Sequence, residues 1–198
     1  MEKQLTNKKI AVVVANGFEE VELTQPVEAL KNAGATVDII SPEEKTVKAW
    51  AEEEWGKDYP VDKQIGSVVA EDYDALVLPG GVMNPDHLRT NDQVISFITG
   101  FFDERKPVAA ICHGPWTLIE TGELDGRKVT SYKSLKTDLQ NAGALWVDEE
   151  VVTDQGLVTS RTPKDLPAFC KKMIEEFMEG PHTGRSNDKR QGGVDPLG

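Results

Sequence analysis

Apolar residues come in short unbroken runs along this chain. Residues 10–15, 75–78 and 108–112 contain no charged or strongly polar side chain. A strand wetted on one face alternates, so such runs, rich in Val, Ile and Ala, predict strands covered on both faces. Between them the spacing changes to the helical period. Leu23, Val27 and Leu30 predict a helix over residues 21–32, stopped by Gly34, between a strand at 9–14 and another at 36–40. The same reading predicts helices at 92–104, 115–120 and 137–142, with Pro115 suited to a first turn. Strands are predicted at 75–78, 107–111, 128–131 and 145–147, and a hairpin joins 151–152 to 157–159. Pro163 opens a last helix that runs to about residue 178.

Three segments depart from the plain alternation of strand and helix. Asn-Ala-Gly-Ala occurs at residues 32–35 and again at 141–144. Each copy stands where a helix ends and a strand begins, with glycine as a left-handed stop, so the pair reads as two similar turns. Residues 50–63 are acidic, carry Trp50 and Trp55, and contain Gly56 and Pro60, which predicts an excursion of short strands or a hairpin. Residues 181–198 are Gly-rich and almost without large apolar groups, and are expected to form a flexible tail. The rest, residues 1–180, is expected to be one α/β domain: a doubly wound, mostly parallel sheet sandwiched by helices.

Composition narrows the function. A chain of 198 residues, 38% of them hydrophobic, can bury a core of its own. The net charge of -12 repels phosphate backbones and anionic lipid, so nucleic acid and membranes are not expected as partners. No apolar run approaches a bilayer's thickness and residues 1–9 are polar, which gives a cytoplasmic protein as the expectation. Two cysteines, Cys112 and Cys170, are then expected as free thiols. Three histidines without HExxH or CxxC make a metal unexpected. The absence of GxGxxG and GxxxxGK[ST], with acidic residues after the first strand, likewise argues against dinucleotide and ATP sites, and no cofactor is expected.

In open α/β sheets, ligands collect at the carboxyl ends of strands. There the segment Val108-Ala109-Ala110-Ile111-Cys112-His113-Gly114-Pro115 runs from strand through Cys into a turn and helix. It has the form of a nucleophile elbow, in which small neighbours allow a tight turn that projects the nucleophile from the sheet edge. The following helix is expected to lower the thiol pKa, and backbone amides to hold an oxyanion. Pro79-Gly80-Gly81, ending the other central strand, offers further amides close to that edge. His113 is the candidate base. Its orienting carboxylate is open among Asp86, Glu19, Glu20 and Glu22 on spacing alone.

The elbow Ala-Ile-Cys-His-Gly-Pro resembles that of the PfpI-type intracellular cysteine proteases, in the superfamily of the parkinsonism-associated protein deglycase. That superfamily has the flavodoxin-like, class I glutamine amidotransferase-like fold. The likeness extends through Asn16-Gly17-Phe18-Glu19-Glu20-Val21-Glu22-Leu23, Asp74-Ala75-Leu76-Val77-Leu78-Pro79-Gly80-Gly81 and Val158-Thr159-Ser160-Arg161-Thr162-Pro163. The resemblance implies that Cys112 is the nucleophile, that Glu22 tunes its ionisation and oxidation, and that His113 acts beside it. It implies an oxyanion site at Gly80, Gly81, His113 and Gly114. Asp86 aligns with an acidic residue that reaches the histidine from a neighbouring subunit, which implies a homodimer or larger assembly. Asp86 is shorter than the usual glutamate, and the loop through Val82 and Met83 is one residue longer.

The implied activity is a cysteine-dependent stress-response hydrolase acting on carbonyl substrates, as a peptidase or as a deglycase or glyoxalase. The alternative is a redox sensor or chaperone-like protein whose Cys112 is oxidised without catalysis. A glutaminase reading requires a distant histidine followed two residues later by glutamate, which the chain lacks. Glu19 and Glu20 read as first-turn acids, Cys170 as core, and Trp116 as packing behind the elbow. Arg161 is open between the site's border and a structural ion pair. His87 and His182 read as bystanders.

Overall fold

The computed structural model describes residues 4–182. The remainder of the expected tail, residues 183–198, lies outside the described residues. In chain order the elements are β1 (Lys9–Val13), β2 (Phe18–Glu19), α1 (Glu20–Asn32), β3 (Thr36–Ser41), β4 (Thr46–Ala51), β5 (Glu54–Pro60) and β6 (Lys63–Gln64). There follow β7 (Ala75–Leu78), α2 (Met83–Arg89), α3 (Asp92–Asp103), β8 (Val108–Ile111) and α4 (Pro115–Leu118). The chain continues through β9 (Lys128–Val129), α5 (Lys136–Asn141), β10 (Leu145–Trp146), β11 (Val151–Asp154), β12 (Leu157–Ser160) and α6 (Leu166–Glu179).

Seven strands form the main sheet in the order β11-β12-β8-β7-β1-β3-β6. Every pairing is parallel except β11 with β12 at one edge. The unbroken apolar runs supply its centre, and their alternate residues feed two cores. Ala11, Val13, Leu76, Leu78, Val108 and Ala110 pack on one face with Phe97, Ile98 and Phe101 of α3. Ile10, Val12, Val77, Ala109 and Ile111 pack on the other with Leu23 and Leu30 of α1 and Phe169, Met173 and Phe177 of α6. This is the doubly wound sandwich expected. The two Asn-Ala-Gly-Ala turns place Gly34 at φ 99° and Gly143 at φ 87°, as their role as helix stops requires.

Three local features differ from the sequence-based reading. Strands β9 and β10 pair only with each other, as a small separate sheet. The acidic excursion starts earlier than expected: β4 and β5 form an antiparallel hairpin that joins β2 in a three-stranded sheet. Glu20 ties this sheet to α1 by accepting from the Tyr59 hydroxyl at 2.8 Å. Finally, the loop through Val82 and Met83 leads into α2, which the apolar pattern does not announce. At the first residues of the expected tail, the His182 N–H donates to the Arg105 carbonyl at 3.0 Å. No helix among the described residues is long and apolar enough to cross a membrane.

Candidate active site

The main sheet reverses its winding between β1 and β7, and the turns at the carboxyl ends of β1, β7 and β8 meet there. Cys112 follows β8 directly and adopts φ 60°, a left-handed conformation that side-chain-bearing residues rarely occupy. Two backbone bonds hold it. Its N–H donates to the Ser160 carbonyl at 3.0 Å, and its own carbonyl accepts from the Tyr132 N–H at 2.8 Å. Strand order thus fixes the strained turn from both sides.

Glycines let the walls close around the sulfur. A Cβ on Gly80 would lie 2.5 Å from Glu22 Oε2, 2.8 Å from the His113 nitrogen and 2.9 Å from Cys112 Cβ. A Cβ on Gly114 would stand 2.4 Å from the Leu78 carbonyl oxygen. Gly81, at φ 78°, lies against the Gly17 carbonyl and the Glu19 nitrogen. No other residue type fits these three places without displacing backbone.

Glu22 is fully buried because helical spacing puts it on the inward stripe of α1 with Pro26 and Leu30. Its Oε2 accepts from the Gly80 N–H at 2.8 Å. Its Oε1 has no partner in hydrogen-bonding geometry, and the Cys112 thiol is the side chain that interacts with the same carboxyl. Burial pushes the Glu22 pKa up to about 8, against the lowering pull of Gly80 and the thiol. The carboxyl therefore holds its proton around neutral pH.

The thiol pKa is raised rather than lowered, first by burial and then by the Glu22 charge and hydrogen bond. This corrects the expectation of a thiol activated by the following helix: α4 has only four residues, and desolvation dominates. Two buried acids facing each other cannot both ionise cheaply. The rise at Glu22 leaves a neutral carboxyl able to donate to sulfur. The amides of His113 and Gly81 also favour the thiolate.

His113 brings Nδ1 to 3.3 Å from Cys112 Sγ. Burial lowers its pKa, so the ring is neutral at pH 7. Its other nitrogen, Nε2, lies 3.2 Å from Ser134 Oγ, and the ring stacks on Tyr132 with centroids 4.6 Å apart. With the ring proton on Nε2, facing Ser134, Nδ1 is open to accept the thiol proton.

These contacts refine the expected oxyanion site. The Gly80 amide is engaged by Glu22, and the Gly114 amide donates to the Ile111 carbonyl at 2.8 Å. Neither is available to a substrate, and both glycines serve close packing instead. The donors facing the sulfur are Gly81 and His113. Within the chain Asp86 does not join the site: it is exposed on α2 and forms no hydrogen bond or ion pair among the described residues. Among the first-turn acids, burial raises the Glu19 pKa, whereas Glu20 faces the excursion.

The family model of the DJ-1/PfpI family matches residues 8–176. The chain belongs to that family. It is 47% identical over 169 residues to General stress protein 18 of Bacillus subtilis, covering 84% of this chain and 96% of that protein. It is 44% identical to Deglycase PH1704 of Pyrococcus horikoshii, covering 84% and 98%. Its fold is also similar to the crystal structure of Drosophila melanogaster DJ-1beta, with TM-score 0.78, 30% identity, and coverage of 86% and 90%.

In this DJ-1/PfpI chain the sequence pattern did not signal Ser134, Tyr132 or Asn84. Asn84 is fully buried; its Oδ1 accepts from the Ala15 N–H at 2.7 Å, and its Nδ2 donates to the carbonyls of Pro79 and Gly80 at 2.9 and 3.0 Å. A polar residue inside a proline-containing turn was its one visible mark. Arg161 forms ion pairs with Asp165 and Asp148, the structural alternative left open by its sequence. Trp116 packs half-buried on the core behind the elbow, and Cys170 sits partly buried against α1 and the sheet, with its thiol pushed up to about 11 by burial.

Proposed function

We propose that this DJ-1/PfpI protein is a cysteine-dependent hydrolase of electrophilic carbonyls, of the peptidase, deglycase or glyoxalase type, with a role in stress. The observation that carries the reading is the convergence on one sulfur of Glu22, His113 and the amides of Gly81 and His113, with Cys112 strained at φ 60°. The thiol proton passes to His113 Nδ1 as Sγ bonds to the carbonyl carbon. The carbonyl π pair moves to oxygen, where the two amides stabilise it. For an acyl substrate, collapse expels the amine, which takes the proton from His113, and water then cleaves the thioester. For a 2-oxoaldehyde the same addition gives a thiohemiacetal. The reading includes a cytoplasmic homodimer or larger assembly in which Asp86 of one subunit approaches His113 of another.

Cys112→Ala is expected to abolish turnover of methylglyoxal, a glycated thiol and casein alike, and the wild-type rates on the three rank the substrates. Unchanged turnover by the variant on all three would falsify the proposal. A second reading, a redox sensor, draws on Glu22, whose carboxyl interacts with the Cys112 thiol and whose Oε1 has no hydrogen-bond partner among the described residues, which suits contact with a sulfinate. Stoichiometric oxygen uptake at Cys112 in intact mass, with no turnover of any of the three, selects it.

A further inference from the structure

The C-terminal end of α6 carries a cluster that the hydrolase site does not use. Glu176 and Glu179 lie about one helical turn apart. Gly180, at φ 74°, stops the helix, and Pro181 leads the chain back toward Arg105. There the His182 N–H donates to the Arg105 carbonyl at 3.0 Å. The His182 ring lies on Gly156, where a Cβ would stand 2.8 Å from ring Cδ2, so the glycine makes room for it. His182 Nε2 and Glu176 Oε2 approach to 3.0 Å, and one ligand-type atom from each of Glu176, Glu179 and His182 lies within 4.8 Å of the others.

A second observation points to a ligand. Glu176 is only 8% exposed, yet its buried Oε2 has no hydrogen-bond partner among the described residues, and neither has His182 Nε2. The two atoms form an ion pair when His182 is protonated; with a neutral ring each keeps a polar direction open to a ligand in a desolvated place. A divalent cation bound at about 2.0–2.2 Å from each sets neighbouring ligand atoms roughly 3 Å apart, the separation found here.

We propose that Glu176, Glu179 and His182 bind a first-row divalent cation, zinc in the first instance, with water completing its coordination. Two carboxylates and an imidazole, without thiolate, suit zinc, cobalt or manganese better than calcium or magnesium, which favour oxygen alone. The ion clips the end of α6 to the segment at Arg105 and to the β11–β12 turn at Gly156. The sequence reading passed over it because Glu-x-x-Glu-x-x-His straddles a helix end, and its histidine belongs to the expected tail.

The test uses the full chain carrying Cys112→Ser, which removes the active-site thiolate as a competing ligand. Titration with zinc chloride is expected to show one equivalent bound per chain in calorimetry and a raised Tm, whereas magnesium chloride leaves Tm unchanged. Cobalt is expected to give d–d absorption without a thiolate charge-transfer band. Glu179→Gln and His182→Ala, both at accessible positions, are each expected to weaken zinc roughly tenfold or more while retaining the fold. In the chain with Cys112 intact, the same two substitutions leave hydrolase activity unchanged. Zinc binding unaltered by both substitutions, no binding in the Cys112→Ser chain, equal stabilisation by magnesium, or a thiolate band with cobalt overturns the proposal.

Discussion

At the scale of single residues, the site depends on who holds one proton. The unfolded chain releases the Glu22 proton near its ordinary value of 4.5, whereas the folded chain keeps it up to about pH 8. The folded state therefore binds more protons throughout that window, and stability falls as pH rises. It is greatest below 4.5 and is lost through about 8. Glu22→Gln has no such proton, so its stability relative to the parent should improve as pH rises from 5 to 8. Each displaced pKa unit corresponds to about 1.4 kcal/mol, which makes the change on the order of a few kcal/mol. Urea midpoints for both proteins at the two pH values, in a Cys112→Ser background so that the thiol does not titrate, measure it. A difference that stays flat would show that Glu22 is already ionised. The same residue shows what was legible in sequence. Cys112, Gly80 and Gly81 could be read because an elbow needs small residues at fixed local offsets. The choice of Glu22 over Glu19 and Glu20 needed the resemblance, since all three lie on one short stretch and only the burial of the α1 stripe separates them.

At the scale of elements, α2 is the piece that the apolar pattern could not announce. It is seven residues long and contains Pro85, and its most consequential side chain, Asn84, is polar. The long runs of β1, β7 and β8 are written in hydrophobicity because both their faces are covered. A short helix that stitches loops is written in hydrogen bonds, which leave no periodic trace. Asn84 bonds the end of β1 through Ala15 and the end of β7 through Pro79 and Gly80, so it sets the spacing between two walls of the site. Asn84→Ala strands one buried amide and two buried carbonyls. At about 1–3 kcal/mol for each unsatisfied group, with relaxation recovering part, a loss of roughly 2–4 kcal/mol is expected. Activity should fall more steeply than the folded fraction, because Gly80 carries the bond to Glu22. A urea midpoint equivalent to within about 0.5 kcal/mol of the parent, the scale of a surface substitution, would remove Asn84 from this role. The hairpin of β4 and β5 was foreseen as an excursion, but its pairing with β2 was not, since a two-residue strand is below what alternation can signal.

At the scale of the whole molecule, the open quantity is what faces His113 Nε2 in solution. Within one chain that nitrogen meets Ser134 Oγ at 3.2 Å, a neutral acceptor that orients the ring without stabilising its charged form. Burial meanwhile lowers the His113 pKa, so a single chain makes a weak store for the thiol proton. A carboxylate brought to the ring from outside would oppose that effect by favouring the imidazolium. Asp86 is suited to supply it, being exposed on α2 and without a partner among the described residues, near Val82, which is 58% exposed. The proposed assembly would place this apolar residue and acid at the seam with a second copy of the chain. The expected result is that Asp86→Ala lowers kcat/KM roughly tenfold or more, the usual scale for weakening a general base, with a shifted pH profile. Asp86→Glu, which restores the missing methylene, should keep most of the activity. Wild-type specific activity should decline on dilution at the concentration where sedimentation shows dissociation, and the Asp86→Ala protein, lacking the acid proposed to be shared, should show a much smaller decline. Full activity in a dilute monomer would leave Ser134 and the Tyr132 ring to orient His113 and return the whole site to one chain.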